Sequence, residues 1–252
     1  MPSLPLQLLL LFIVGIVSGF INILAGGGSL LALPVLIFLG LPATVANGTN
    51  RVAILIQNIA AIAGFHQHKV FPWRISLLAA VPATIGALVG ANLALDIPEA
   101  LFKQILAGVM IVVLILTLAD PTKHLRATPQ SLTGFRLLIF LLGFFGVGVF
   151  GGFIQAGVGF LIISVMLVTG FDLVATNAVK VLVTFIFTVA ALIIFMAHAQ
   201  VDYLLGVVLG LGSAVGGWVG TRFSIKKGHN WIRVFVIVMV AAFSAKLLWD
   251  SM

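Results

Sequence analysis

Long apolar runs separated by short polar segments make up most of the chain. They lie at about 4–24, 29–40, 42–65, 73–95, 99–119, 135–154, 158–169, 172–197, 203–222 and 231–249. A helix that crosses a bilayer needs about 20 residues, and eight of the ten runs are about that long. The pattern therefore predicts an all-α polytopic membrane protein.

Two of the runs are too short to cross a bilayer. Runs 29–40 and 158–169 hold 12 residues each, or roughly 18 Å of helix. The first follows Gly26-Gly27-Gly28, and the second follows Gly157-x-Gly159. Irregular backbone at membrane depth is tolerated only where protein buries it or where it lines a polar cavity. We therefore expect each glycine break and its short run to form a helical hairpin at a polar site.

The second half of the chain repeats features of the first half at an offset of 130 residues. The matching pairs are Gly40 and Gly170, Asn47 and Asn177, Ile56 and Ile186, Phe65 and Phe195, His68 and His198, and Gly86-x-x-x-Gly90 and Gly216-x-x-x-Gly220. We expect one membrane domain over 1–252, with repeat one at 1–120, an inter-repeat loop at 121–134 and repeat two at 135–252. Each repeat is predicted to be a glycine-broken short helical hairpin followed by three spanning helices.

Charge placement predicts the orientation of the repeats. If each hairpin returns to the side it entered from, nine Lys and Arg residues share one side and two share the other. The nine are Lys69, Arg74, Lys123, Arg126, Arg136, Arg222, Lys226, Lys227 and Arg233; the two are Lys103 and Lys246. Positive loops stay cytoplasmic, so both termini are predicted on the outer side and the two repeats have inverted topology, as in many secondary transporters. Whether the hairpins are re-entrant or fully crossing stays open.

Composition supports lipid as the solvent of this chain. Charged residues make up 8% and hydrophobic residues 62%, whereas soluble domains carry about 25% charged residues. The net charge of +7 comes without a basic patch interleaved with aromatics, so we read it as topology and predict no nucleic-acid partner. No cysteine is present, which excludes disulfides and thiolate metal sites. Residues 1–5 carry no basic segment and no clear cleavage site follows, so the first run is predicted to be a retained membrane segment.

Two cations lie deep inside apolar runs. Arg51 and Lys180 are each roughly 13–15 Å from a membrane edge, where a cation costs about 2.5–3.5 kcal/mol. All six carboxylates lie at loops or helix ends. Buried cations without a carboxylate favour an anion as their partner. The alternative is that both snorkel to an interface or cap the carbonyl groups of the hairpins.

Amide side chains accompany the two cations. Asn47 shares a helix face with Arg51, and Asn177 shares one with Lys180. Helix N-termini at the glycine breaks would add backbone N–H donors for an anion. We interpret Gln57 and Asn58 as interhelical hydrogen-bond partners. The predicted substrate-binding residues are Arg51, Lys180, Asn47, Asn177, Asn50, Asn22, Gln155, Gly26, Gly27, Gly28, Gly157 and Gly159.

An enzyme in the membrane would need an activated nucleophile or a His–carboxylate pair at depth, and the apolar runs contain neither. His66 and His68 have no carboxylate or cysteine close in sequence, so we predict a helix end there, with no metal and no cofactor. The expected partners are a small anionic substrate and membrane lipid. The GxxxG pairs mark either helix contacts within the protomer or the seam of a homodimer. An anion channel, a carboxylate transporter and a non-transporting membrane subunit stay open as alternatives.

A known family shares several of these motifs in order. Gly26-Gly27-Gly28, Pro34, Gly40-Leu41-Pro42 and Ala46-Asn47-Gly48-Thr49 resemble the first-repeat signature of the sulfite exporter TauE/SafE family. The second half is similar through Gly157, Gly159, Gly170 and Ala175-Thr176-Asn177. It departs from the pattern because it has no glycine triplet and has Val165 where a proline is expected.

The resemblance implies a bacterial inner-membrane permease that moves sulfite, sulfonates or similar organosulfur anions, usually outward. The residues themselves indicate an anion site between the halves, but they do not indicate sulfur. The expected mechanism is alternating access around an anion held by Arg51, Lys180, Asn47 and Asn177. The inside-negative potential favours anion exit by about 2.3 kcal/mol per charge per 100 mV, so export could run as uniport.

Overall fold

A computed structural model describes residues 3–67, 72–119 and 132–226. The helices in these ranges are α1 Leu4–Ala25, α2 Ser29–Phe38, α3 Ala43–Gln67, α4 Trp73–Leu95, α5 Glu99–Ala119, α6 Gly134–Phe153, α7 Val158–Val168, α8 Leu173–Ala197 and α9 Tyr203–Lys226. These ranges contain no strand, so the all-α fold class is confirmed. The run at 231–249, most of the inter-repeat loop, and His68, Lys69, Lys123, Arg126, Lys227, Arg233 and Lys246 lie outside the described residues.

Five of the described helices are long and apolar enough to cross a membrane. They are Leu4–Leu24, Trp73–Leu95, Gly134–Phe153, Ala175–Ala197 and Tyr203–Phe223. Helix α3 has 25 residues but carries amides, hydroxyls and Arg51. Only α2 and α7 are short, with 10 and 11 residues, so each hairpin combines one long arm and one short arm. The polytopic membrane architecture is confirmed.

The outer faces of the long helices are apolar. Val81, Leu142 and Ile193 each expose about three fifths of their surface, and other large aliphatic side chains on the same helices are similarly exposed. Soluble proteins rarely display contiguous apolar surface on this scale, and a bilayer supplies the apolar surroundings that it needs.

The two halves pack through corresponding helices. Helix α1 packs on α9, and α6, the first helix of the second half, packs on α4. The third helices α3 and α8 pack on each other, and each also packs on the fourth helix of the other half. Each first or third helix therefore makes major contacts across the boundary between the halves, and the arrangement is the same in both directions.

Small residues allow the close helix contacts. In α9, Gly216 lies against the Ile16 carbonyl of α1, and in α6, Gly152 lies against the Ala87 carbonyl of α4. A side chain at either glycine would overlap backbone atoms of the facing helix. Gly86 and Gly90 likewise face α6, so both GxxxG segments make contacts inside the protomer. A homodimer would use another surface.

Unusual backbone conformations recur at matching positions of the two halves. Gly26 has φ 76° and Gly157 has φ 78°, while Gly40 has φ 100° and Gly170 has φ 96°. Glycine adopts these angles without the steric cost that other residues incur. The recurrence agrees with an internal repeat, and the opposite orientation of the repeats stays a prediction.

The two glycine breaks touch each other. Gly26 caps the C-terminus of α1, with its N–H 2.9 Å from the Asn22 carbonyl, and Gly157 caps the N-terminus of α7. A Cβ atom added to Gly26 would lie 2.6 Å from the Gly159 Cα atom. The backbones of the two halves therefore meet where α1 ends and α7 begins.

Replacing Gly159 with alanine tests this contact. The new methyl group would overlap the Gly26 backbone, so Gly159→Ala should destabilise the protein by about 1–3 kcal/mol, measured by thermal unfolding in detergent. Gly146→Ala is the matched control, because no atom lies within 4 Å of the added methyl group. Equal unfolding temperatures for the two variants would contradict the close contact.

Candidate functional site

Arg51 joins α3 to the end of α6. Its side chain is fully buried. One terminal nitrogen donates to the Gly151 carbonyl at 3.1 Å and to Gln155 Oε1 at 2.9 Å, and the other donates to the Gly152 carbonyl. The guanidinium carbon lies 4.5 Å from the centre of the Phe195 ring. Arg51 therefore caps the C-terminal carbonyls of the first helix of the other half.

Lys180 makes the corresponding contacts from α8. Its ammonium nitrogen lies 3.0 Å from the Asn22 carbonyl and 2.8 Å from the Ile23 carbonyl. A third hydrogen bond of 2.8 Å goes to Asn177 Oδ1. All three ammonium hydrogens thus have partners, and two of these partners are carbonyl oxygens in the last turn of α1.

Both cations lie at the negative ends of helix dipoles. The last carbonyls of a helix have no intrahelical partner and carry about half a negative charge together. Lipid offers them no hydrogen bond, so a buried cation is a favourable cap. Carbonyl capping, the alternative considered for both residues, describes their immediate contacts. A helix end offsets only about half a unit charge, so part of the charge of each cation has no opposite charge in these contacts.

A small cavity lies between the halves. It is lined from the first half by Asn22, Ile23, Ser29, Ile54, Gln57 and Asn58, and from the second half by Gln155, Val158, Gly159, Lys180, Val181 and Thr184. The space open to the centre of a water molecule is about 10 Å³, which is enough for about one water. Among the described residues that line the cavity, Lys180 is the only charged one.

Two donors at this cavity have no protein partner in the described part of the chain. They are the amide nitrogens of Gln57 and Asn58, and both are buried. Gln57 Oε1 accepts a 3.2 Å hydrogen bond from Asn22, so the predicted interhelical contact is present for its oxygen but not for its nitrogen. Sequence reasoning missed these residues as site candidates. Their helical position could have revealed them, since Asn58 follows Arg51 by seven residues and shares its face.

The structure brings four predicted site residues together at the cavity: Asn22, Gln155, Gly159 and Lys180. Gln155 bridges its surroundings, because its Oε1 accepts from Arg51 and its Nε2 donates to Thr188 at 2.7 Å. The loop that connects α6 to α7 is thereby held against both α3 and α8.

The other predicted residues surround the cavity without lining it. Asn47 donates to the Phe153 carbonyl at 2.8 Å, and Asn50 donates to Ser29 Oγ at 3.0 Å. Asn177 accepts from Lys180, and Arg51 lies against α6. Gly26, Gly27, Gly28 and Gly157 shape the two breaks. Asn47 and Arg51 hold the connection that carries Gln155, and Asn50 holds Ser29 at the start of α2.

Comparison with known proteins agrees with this architecture. The family model described as "Sulfite exporter TauE/SafE" matches residues 11–247. This chain belongs to the sulfite exporter TauE/SafE family. The match runs through both halves, and it includes the two breaks, the cavity and both buried cations.

Relatives in other bacteria align over nearly the whole chain. The "Probable membrane transporter protein ORF9" of Sinorhizobium sp is 29% identical, over 95% of this chain and 92% of its own. The "Probable membrane transporter protein YfcA" of Escherichia coli K12 is also 29% identical, over 98% and 91%. The YdhB protein of Bacillus subtilis is 27% identical, over 87% and 89%. No solved structure matches the chain. Within the TauE/SafE family, the chain is a multi-pass membrane transporter.

The capping role of Arg51 in this TauE/SafE protein is testable by replacement with methionine. Arg51→Met leaves the Gly151 and Gly152 carbonyls without their side-chain donor. Because a hydrogen bond to a charged group contributes about 1.5–3 kcal/mol, the loss should exceed about 3 kcal/mol in a thermal or denaturant unfolding measurement. Arg222→Met is the control, since Arg222 is exposed and stacks on Trp218 at 3.7 Å, a contact worth about 0.5–1 kcal/mol. Equal losses would mean that the carbonyl contacts contribute little.

Proposed function

We propose that this transporter carries small organosulfur oxyanions, such as sulfite or sulfonates, out of the bacterial cell through the inner membrane. This proposal rests on the cavity where the halves meet, which combines the Lys180 ammonium with amide side chains from both halves. The substrate would contact Lys180, Asn22 and Gln155. Gly159 has no side chain, so the substrate could approach its backbone closely.

The chemistry of the cavity favours an anion. The only charged residue in the described part of its lining is the cation Lys180, which would repel a cationic substrate. Oxygen atoms of a sulfite or sulfonate accept charge-assisted hydrogen bonds from ammonium and amide groups. A direct hydrogen bond from Lys180 requires exchange of one of its three present contacts, and Asn177 Oδ1 is a side-chain acceptor that can rotate away. A carboxylate could use the same donors, so the preference for sulfur rests on the family.

The size of the cavity favours alternating access. A space for about one water is too small for a sulfite ion, so the cavity has to widen before sulfite can bind. The lining divides between the halves, so separation of α1 and α3 from α7 and α8 would open it. In our proposal the repeats rock against each other around the anion. An anion channel would need a continuous path, and a cavity this small favours the transporter.

Transport by purified protein in liposomes tests the site. Lys180→Met should abolish saturable sulfite efflux, because the anion would lose the charged residue of the described cavity lining. Loss of the carbonyl cap should also lower the unfolding temperature, so size-exclusion chromatography checks that the variant is folded before transport is measured. Lys103→Met is the control, since Lys103 forms a surface pair with Glu99 at 2.7 Å. Efflux by Lys180→Met at the wild-type rate would contradict the proposed site, and efflux that never saturates would indicate a channel.

The membrane potential tests uniport. For a singly charged anion, 100 mV inside-negative corresponds to about 2.3 kcal/mol, or about a 50-fold outward concentration ratio at equilibrium. Liposomes are loaded with sulfoacetate at a pH where its net charge is known, and a potassium gradient with valinomycin sets the potential. The logarithm of the outward concentration ratio should then rise with the potential in proportion to that charge. Efflux that ignores the potential and follows a pH gradient would indicate proton coupling instead.

A further inference from the structure

We propose that Gln57 and Asn58 are specificity-determining residues, whose amide N–H groups donate to substrate oxygens on the side of the cavity formed by the first half. Together with Lys180 they would make the site selective for anions that carry three oxygens on one centre, as sulfite and sulfonates do. This inference rests on the proposed transport of oxyanions through the same cavity.

Both side chains have unmet hydrogen-bonding capacity. Gln57 is 0% exposed and Asn58 is 2% exposed. Neither amide nitrogen has a partner among the described residues. Buried polar groups nearly always find partners, since an unpaired donor loses its water without replacement. Both side chains line the cavity, and a molecule within it is the natural acceptor.

The two halves carry different residues at these positions. At the 130-residue offset, the positions equivalent to Gln57 and Asn58 are Phe187 and Thr188. Phe187 is fully buried, and Thr188 accepts from Gln155. The fold therefore accommodates an apolar side chain and a satisfied hydroxyl at these places. The two unpaired amides are a property of this site and are not required by the repeat.

The charge and the unpaired donors of the cavity come from opposite halves. The charge of the site comes from Lys180 on α8, and the unpaired donors come from α3, so a bound anion would bridge the two halves. A trioxo group can present one oxygen to Lys180 and one to each amide. A carboxylate has two oxygens and would leave one donor unpaired, and a halide offers a single spherical centre in place of three oxygens directed at separate donors. The predicted affinity order is sulfite and sulfonate above carboxylate, with halides weakest.

Asn58→Leu separates this inference from the interhelical role. The change removes the donor and keeps the branched shape of the side chain. A hydrogen bond to an anion corresponds to about 10- to 100-fold in affinity. The dissociation constant for sulfite, measured by calorimetry on the full-length protein, should rise by that factor, while that for bromide should not change. Without ligand, the unfolding temperature should stay equal or rise, because an unpaired buried donor is gone. Asn92→Leu is the matched control, since Asn92 is exposed and bonds within its own helix at 2.8 Å.

Gln57→Glu is a second variant, which tests the inference if Asn58→Leu folds poorly. It keeps an oxygen for the Asn22 hydrogen bond and replaces the donor with an acceptor, so sulfite binding should be lost. Unchanged sulfite affinity in both variants, or a lower unfolding temperature of Asn58→Leu with unchanged affinity, would overturn the inference and support a purely interhelical role.

Lys180→Met distinguishes this inference from the proposed function. If wild-type protein binds no oxyanion, or if Lys180→Met binds sulfite as wild type does, the proposed site itself is wrong. If wild type binds sulfite and Lys180→Met does not, while both amide variants bind normally, only the role of Gln57 and Asn58 fails.

Discussion

The architecture depends on how a helix can end inside a membrane. The carbonyls of the last turn have no intrahelical partner, and lipid offers none. Here α1 and α6 both end at glycine-rich breaks, and in both cases a cation from the third helix of the other half caps carbonyls of the last turn. The cost of burying Arg51 and Lys180 is offset by the negative helix ends that they contact. Each half therefore completes the hydrogen bonding of its counterpart.

This exchange explains where the cavity lies. The two breaks meet at Gly26 and Gly159, and the irregular backbone leaves space that no regular helix would leave. The two cations also differ in what they contribute. Lys180 lines the cavity, whereas Arg51 faces the end of α6 and holds Gln155 in place. In the proposed cycle, Arg51 acts as a positioning residue and Lys180 supplies the charge. Movement of the halves would have to keep or exchange these caps, because an uncapped carbonyl end in lipid is unfavourable.

Much of the fold could be predicted from the sequence because lipid imposes a simple rule of length and polarity. The described helices agree with the predicted runs within a few residues, and glycine composition located both breaks, since few other residues adopt the angles of Gly26 and Gly157. The side-chain contacts of the site were harder to predict. Spacing placed Asn47 near Arg51, but it could not show that Asn47 would bond to the Phe153 carbonyl, because that partner comes from another part of the chain. For the same reason, the unpaired nitrogens of Gln57 and Asn58 depend on which groups fail to reach them, and a linear pattern contains no such information.

In this proposal one oxyanion site lies between the two breaks, bounded by Lys180 from one half and by amides of the other half. Crystals grown with selenite, a close analogue of sulfite with a strong anomalous signal, would test it most directly. We expect one anomalous peak within hydrogen-bond distance of Lys180 Nζ and Asn58 Nδ2, with the cavity wider than its present ≈10 Å³. A selenium peak elsewhere in the protein, with this cavity still closed and Lys180 still bonded to the end of α1, would contradict it.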